Sequence, residues 1–478
     1  MLAQNPLDIP EVTSHVASYL YRTDLASCVR VSKSWRDIFL PHLWRDVTRS
    51  FLNDQITGSR HFGPSQEALN KHRHLVRYLS LDGYVCEDDV CPLPNLRHLK
   101  IYYLNTDMAV TRVRETFNWD ITEISPLLDR LLICNLDMDR QSCQRLLEHP
   151  HLRNLELSKT GIMPDARQDI WEACKNLESL SLKRVRFRGN SPSIPADTVF
   201  NRLRTLVIKE IDFGCLQRLP VILHCPILES FELETRSFKV RMMIKHPIQM
   251  DRWSQVASLI IPIFPTDEEW ALILERIGNC FENVTCLHVV RGEFGSRSLE
   301  ALGPYFSNLV DLRLTSCNSS TITGVLCSCR KLEILHVPDI FADDIAQGGP
   351  WVCQQLLELK IGIRVKETDQ GLQPLVFKRL STLVRLTKLD MSGANHDNGE
   401  GVLEFRLDCG LGELAGLQAL RTVVYYDAFA VRLRDQIEAK DVEWMIDNWK
   451  KLKRIRGVLN INPVVEAQLT DLLKNYGI

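Results

Sequence analysis

Residues 177–182 read Leu177-Glu178-Ser179-Leu180-Ser181-Leu182, and the spacing of their three leucines decides how the rest of the chain is read. On an extended backbone side chains alternate between two faces, so Leu180 and Leu182 share one face while Ser181 takes the other. The same frame stands upstream at Val76/Leu79/Leu81, Leu96/Leu99/Ile101 and Leu152/Leu155/Leu157. Downstream it returns at Leu203/Leu206/Ile208, Leu228/Phe231/Leu233, Leu309/Leu312/Leu314, Leu332/Leu335/Val337 and Leu356/Leu359/Ile361. Weaker copies begin at Leu128, Val256, Val284, Leu386, Leu417 and Leu452.

The lead-in repeats as well: Ala173-Cys174, His224-Cys225 and Ser328-Cys329 each stand just before a copy. A period of about 25 residues with this pattern is that of a leucine-rich repeat. No single repeat buries its own apolar side, so the copies must stack, each contributing a short parallel strand with its return segment outside. The array is irregular. Apolar residues such as Val185, Ile211 and Ile340 replace the usual asparagine after the strand, and Cys317 matches the cysteine-type variant. Long spacings fall at 104–126, 362–382 and 392–416; the last holds a polar, turn-rich run over 392–401 that reads as solvent-facing.

The first 48 residues do not repeat. Ile9, Val12, Val16 and Leu20 recur at helical spacing after Pro10, Thr23 and Asp24 can start a second helix with Leu25 on one face, and Ser32 can cap a third that carries Trp35 and Phe39 and stops before Pro41. Three helices in about 40 residues bury little surface by themselves, so the unit needs a partner. The run Ile9-Pro10-Glu11-Val12, Tyr19-Leu20, Asp24-Leu25 and Val31-Ser32-Lys33-x-Trp35-Arg36 resembles an F-box from about Pro6 to Trp44. One departure is that Leu7-Asp8-Ile9-Pro10 replaces the adjacent Leu-Pro with which many F-boxes open. The resemblance implies docking on a Skp1-like adaptor, and through it on a cullin in a ubiquitin ligase, by Ile9, Pro10, Val12, Val16, Leu20, Leu25, Val31 and Trp35. With the array behind it, the chain resembles F-box proteins with C-terminal leucine-rich repeats, a type common in fungi.

The expected architecture is therefore α/β: a short all-helical F-box at 5–48, a linker at 49–74, an irregular solenoid at 75–460 with parallel strands inside and helices outside, and a capping helix at 461–478. In the cap, Val442, Met445, Ile446 and Trp449 share one helical face, and Asn462 precedes Pro463 at the start of the last helix.

Across 478 residues the 45% hydrophobic and 25% charged shares are those of a folded chain, and a net charge of −2 favours neither nucleic acid nor a membrane surface as partner. In residues 1–48, Arg22, Arg30, Lys33, Arg36 and Arg45 are matched by Asp8, Glu11, Asp24, Asp37 and Asp46, which argues against a small DNA-binding unit. The start lacks the basic and apolar regions of a signal peptide, and no apolar run approaches the ~20 residues of a membrane helix. Fifteen scattered cysteines suit reduced thiols in cytosol or nucleus. Neither Cys86/Cys91 nor Cys327/Cys329 has a second pair to complete a zinc motif, and the 392–401 run lacks calcium-loop spacing, so the sequence assigns no metal and no cofactor.

No phosphate loop, dinucleotide fingerprint, zincin motif or nucleophile elbow occurs, so an enzyme is not expected. The leading expectation is a substrate receptor; the rivals are a plain interaction scaffold whose helices only cap the solenoid, and an unrecognised hydrolase. For the receptor, the residue between the last two apolar positions faces away from the core. In four consecutive repeats that residue is His288, Arg313, His336 and Lys360, a candidate basic row for an acidic or phosphorylated segment of an unknown protein substrate.

Overall fold

A computed structural model describes residues 9–54, 58–83, 92–102, 125–189, 194, 198–211, 224–234, 255–264, 266–277, 282–392, 401–425, 437–460 and 462–478. The opening residues 5–8, the Cys86/Cys91 pair, the long spacing at 104–124 and most of the 392–401 run lie outside the described residues. The chain forms two compact units, Met1–Leu228 and Glu229–Ile478.

In the first unit three helices come first: α1 (Pro10–Ala17), α2 (Arg22–Cys28) and α3 (Lys33–Arg45). Ala17, Leu25 and Phe39 are their buried centre, with Leu20, Cys28, Val29, Trp35, Ile38 and Leu43 packed around it. Ser32 caps α3 as its sequence suggests, accepting a hydrogen bond from the Trp35 N–H at 3.1 Å. The helix does not stop before Pro41 but runs through it to Arg45. An interior proline removes one backbone hydrogen bond, and packing beyond it offsets that loss. Leu43 joins the helical core, His42 meets Ser14 at 3.0 Å, and the Trp44 ring lies 4.6 Å from that of His72.

The stretch read as a linker enters the sheet instead. Strand β1 (Asp46–Asp54) continues directly from α3 and pairs antiparallel with β2 (Gly58–Phe62). It also lies parallel to β3 (Tyr78–Gly83), with Val47 opposite Leu79 and buried. From β3 the ladder runs through β4 (His98–Tyr102), β5 (Arg130–Cys134), the next sheet strand Asn154–Ser158, then Ser179–Lys183 and Thr205–Lys209, every pairing parallel and in register. Leu99, Leu131, Leu155, Leu180 and Leu206 meet as one buried column, and Ile101, Ile133, Leu157, Leu182 and Ile208 as a second. The turns after these strands carry non-glycine residues in the left-handed region: Asn135, Lys159, Arg184 and Glu210, with φ between 51° and 61°. There the Lys159 amide donates to the Lys183 carbonyl and the Arg184 amide to that of Lys209, so the turns are tied from repeat to repeat.

The second unit repeats the plan. Its strands Ser230–Glu234, Ser258–Phe264, Cys286–Gly292, Asp311–Leu314, Ile334–Phe341, Glu358–Val365, Lys388–Asp390, Thr422–Val424 and Arg454–Arg456 pair parallel in that order. Gly401–Val402 adds an antiparallel edge to Glu358–Val365. Each unit is thus a leucine-rich-repeat stack of parallel strands with return segments outside, helical in several repeats.

Cysteines 174, 225, 329 and 353, each three residues before a strand-leading leucine, are buried thiols that act as small apolar fillers. At the C-terminal end Val442, Met445 and Trp449 are buried along Ala439–Asn448, with Ile446 half-buried beside them. Asn462 accepts from the Val464 N–H at 3.0 Å to start Pro463–Asn475. Among the described residues no helix is long and apolar enough to cross a membrane.

Candidate functional site

The helical unit presents two apolar stripes where one was expected. In α1, Thr13 and Ala17 face the core, while Val12 and Val16 stand 39% and 37% exposed on another side of the helix. Val31, just before α3, is 64% exposed, and Tyr19 and Tyr21 are more exposed still. Ile9 is half-buried and Pro10 exposed. Leu25, by contrast, is only 6% exposed and belongs to the core, and Leu20 and Trp35 pack against it. Of the residues expected to dock an adaptor, Pro10, Val12, Val16 and Val31 are exposed, whereas Leu25 belongs to the helical core. Helical spacing cannot separate the two stripes, because residues one apart, such as Val12 and Thr13, fall on different sides of a helix.

The second candidate site lies on the sheet of the second unit. The four residues predicted to form a row do so: His288 stands opposite Arg313, Arg313 opposite His336 and His336 opposite Lys360. An acidic set accompanies them. Arg313 grips Asp311 with both arms, Nε to Oδ1 and Nη2 to Oδ2, each at 2.9 Å. His288 Nε2 reaches Asp311 Oδ2 at 3.2 Å and Cys286 Sγ at 3.3 Å. Glu358 accepts from Lys388 at 2.7 Å and lies 2.8 Å from His336 Nε2. Lys360 has no carboxylate at ion-pair distance among the described residues.

These contacts divide the two histidines. At His288 burial opposes the charge, but the hydrogen bonds to Asp311 and Cys286 outweigh it and lift the imidazole to about 9. At His336 burial wins with help from the Arg313 charge, and the ring sits below its ordinary value despite Glu358. The row is therefore not uniformly basic. Arg313 and His288 are internally compensated and His336 favours its neutral form. Asp311 and Glu358 hold the first position of their strands, two residues before Arg313 and Lys360, so they share the face of the row.

Comparison with known proteins agrees with the helical part. Residues 10–50 match the F-box-like family. The chain thus carries an N-terminal F-box-like domain ahead of leucine-rich repeats. No curated protein matches the sequence. Similar solved structures include an internalin from Listeria monocytogenes at 14% identity, covering 73% of this chain and 86% of that one, with a TM-score of 0.34. An LRR protein of Leptospira interrogans is 13% identical over 82% of this chain and 98% of its own, with a TM-score of 0.39. The LRR ectodomain of a plant membrane receptor kinase from Arabidopsis thaliana is 13% identical over 81% of this chain, which spans 44% of its length, with a TM-score of 0.37.

Proposed function

We propose that the protein is the substrate-recognition subunit of a Skp1–cullin–F-box ubiquitin ligase, working in cytosol or nucleus as a non-catalytic adaptor. The observation that carries this reading is the exposure of Val12, Val16 and Val31 on a domain that matches the F-box-like family. A set of exposed valines beside a completed core is surface available to a partner, not a covering for the core. Because α3 leads straight into β1, the adaptor would be held firmly against the first repeats instead of hanging on a tether. Holding a substrate there raises its effective concentration near the ligase.

The substrate surface in this reading is the open face of the second unit, centred on Lys360 and the compensated Arg313. The test is co-purification of the full chain with a Skp1-like adaptor, followed by affinity capture of proteins that need Lys360. Adaptor binding without any ubiquitination partner would leave the scaffold reading in place of the receptor.

A further inference from the structure

Cys286, His288 and Asp311 bring a thiol, an imidazole and a carboxylate to one point on the sheet. Cys286 and His288 are two apart on one strand and so share a face, and Asp311 stands directly opposite Cys286 on the next strand. Their donor atoms all lie within 4.8 Å of one another. A nucleophilic triad would use the two imidazole nitrogens for two different partners, one for the nucleophile and one for the orienting acid. Here the same nitrogen, Nε2, faces both Sγ at 3.3 Å and Oδ2 at 3.2 Å. The donors converge instead of forming a relay, which is the arrangement a metal needs.

The two distances from the imidazole fit that role. Zinc bonds of about 2.3 Å to sulfur and about 2.0–2.2 Å to nitrogen and oxygen, at tetrahedral angles, place neighbouring donors about 3.4–3.6 Å apart. The observed nitrogen–sulfur and nitrogen–oxygen separations need only a few tenths of an ångström of opening. Neighbouring paired strands hold the three residues, so the geometry rests on a rigid frame, not a loop. Arg313 fixes the Asp311 carboxylate from outside by two hydrogen bonds, as the carboxylate ligands of metal sites are commonly held, although its charge works against a cation.

We infer that Cys286, His288 and Asp311 form a binding site for a divalent late-transition-metal cation, with zinc the best match to a thiolate, imidazole and carboxylate set. Thiolate and carboxylate balance its two charges, and the protons displaced from the ligands leave to solvent. Three protein donors leave a fourth position for water or for a group of a bound partner. The site is independent of whether the F-box-like domain docks an adaptor.

The full-length chain, reduced and stripped of metal with chelator, is titrated with Co(II) and then Zn(II), with bound metal counted by native mass spectrometry. The expected result is one cobalt per chain and a thiolate-to-cobalt charge-transfer absorption that zinc abolishes. Cys286→Ser should remove that absorption while leaving the melting temperature in chelator near that of the parent chain. His288→Gln and Asp311→Asn, which keep side-chain shape, should each weaken cobalt binding about tenfold or more, the effect of losing about 1.4 kcal/mol of binding energy. They give the answer even if Cys286→Ser does not fold. Absence of the absorption, or an absorption unchanged across the three variants, overturns the site and assigns any bound cobalt to other thiols.

Discussion

Asp267, at the start of the helix Asp267–Ile277, caps the helix of the following repeat through Ser298. Its Oδ1 accepts the Ser298 N–H at 2.9 Å and the Gly295 N–H at 2.8 Å, while Oδ2 accepts the Arg297 N–H at 3.0 Å. The carboxylate thus satisfies amides that the start of a helix leaves without intrahelical partners, across about one repeat of sequence. Neighbouring repeats are joined by this polar lock as well as by their leucines.

Removing the lock should cost stability. We expect Asp267→Ala to lower it by about 1–2 kcal/mol, the usual size of a lost N-cap. Burial tends to raise the Asp267 carboxyl, but the hydrogen bonds from Ser298, Arg297 and Gly295 prevail and hold it below the usual range. A depressed value means the contribution is present above pH 3.8 and is lost as pH falls below that through the lower folded value. Denaturant melts of parent and variant should therefore differ at pH 7 and converge in acid; a difference that grows in acid contradicts the assignment.

The leucine frame makes a sharper contrast inside one strand. Leu180→Ala should cost about 2–5 kcal/mol, since it opens a cavity in a filled column. Ser181 also turns out to be covered, at 9% exposure, and its hydroxyl oxygen is buried without a hydrogen-bond partner among the described residues. Ser181→Ala should then be neutral or slightly stabilising, because it deletes a desolvated hydroxyl that gains nothing in return. Equal losses at Leu180 and Ser181 in thermal melts would shift the register by one residue.

The turn residue Lys159 has a φ of 52°, in the left-handed region where a Cβ is disfavoured. Lys159→Val should destabilise by about 1–2 kcal/mol, since a β-branched side chain fits that region poorly. Lys159→Gly should be tolerated or mildly stabilising. Urea midpoints of the two variants test this, and a Val variant as stable as the Gly variant contradicts the strain.

Much of this fold is legible in the chain because its information is local. Leu312 and Leu335 announce their strands through neighbours two and three residues away, and Ser32 announces its helix through a cap. What escaped depends on partners distant in sequence. Strands β1 and β2 arise from a polar stretch whose pairing with β3 has no local apolar signature. Leu25 and Val16 look alike as apolar helical residues, and only the three-helix packing decides which is covered. Cys286 and Asp311 become neighbours only through a register between repeats, which spacing rules for a single motif cannot reveal.

That register also changes what a charge reversal would do. Arg313→Glu would set a carboxylate beside Asp311 and lose two hydrogen bonds, so it should lower the melting temperature as well as partner capture. Lys360→Glu should reduce capture of an acidic partner and leave the melt nearly unchanged. Capture that survives Lys360→Glu places the partner elsewhere on the protein.

The exposed valines of the F-box-like domain carry the central claim, and a binding measurement with a purified Skp1-like adaptor tests it most directly. Leu20 packs on the helical core, so its substitution would confuse unfolding with lost docking; Val16 and Val31 are exposed and do not. With the full chain in solution, we predict adaptor binding that Val16→Asp and Val31→Asp each weaken at least about a hundredfold, since each buries an unpaired charge in an apolar contact, with no change in melting temperature. Binding of equal strength in the parent chain and both variants would contradict the account.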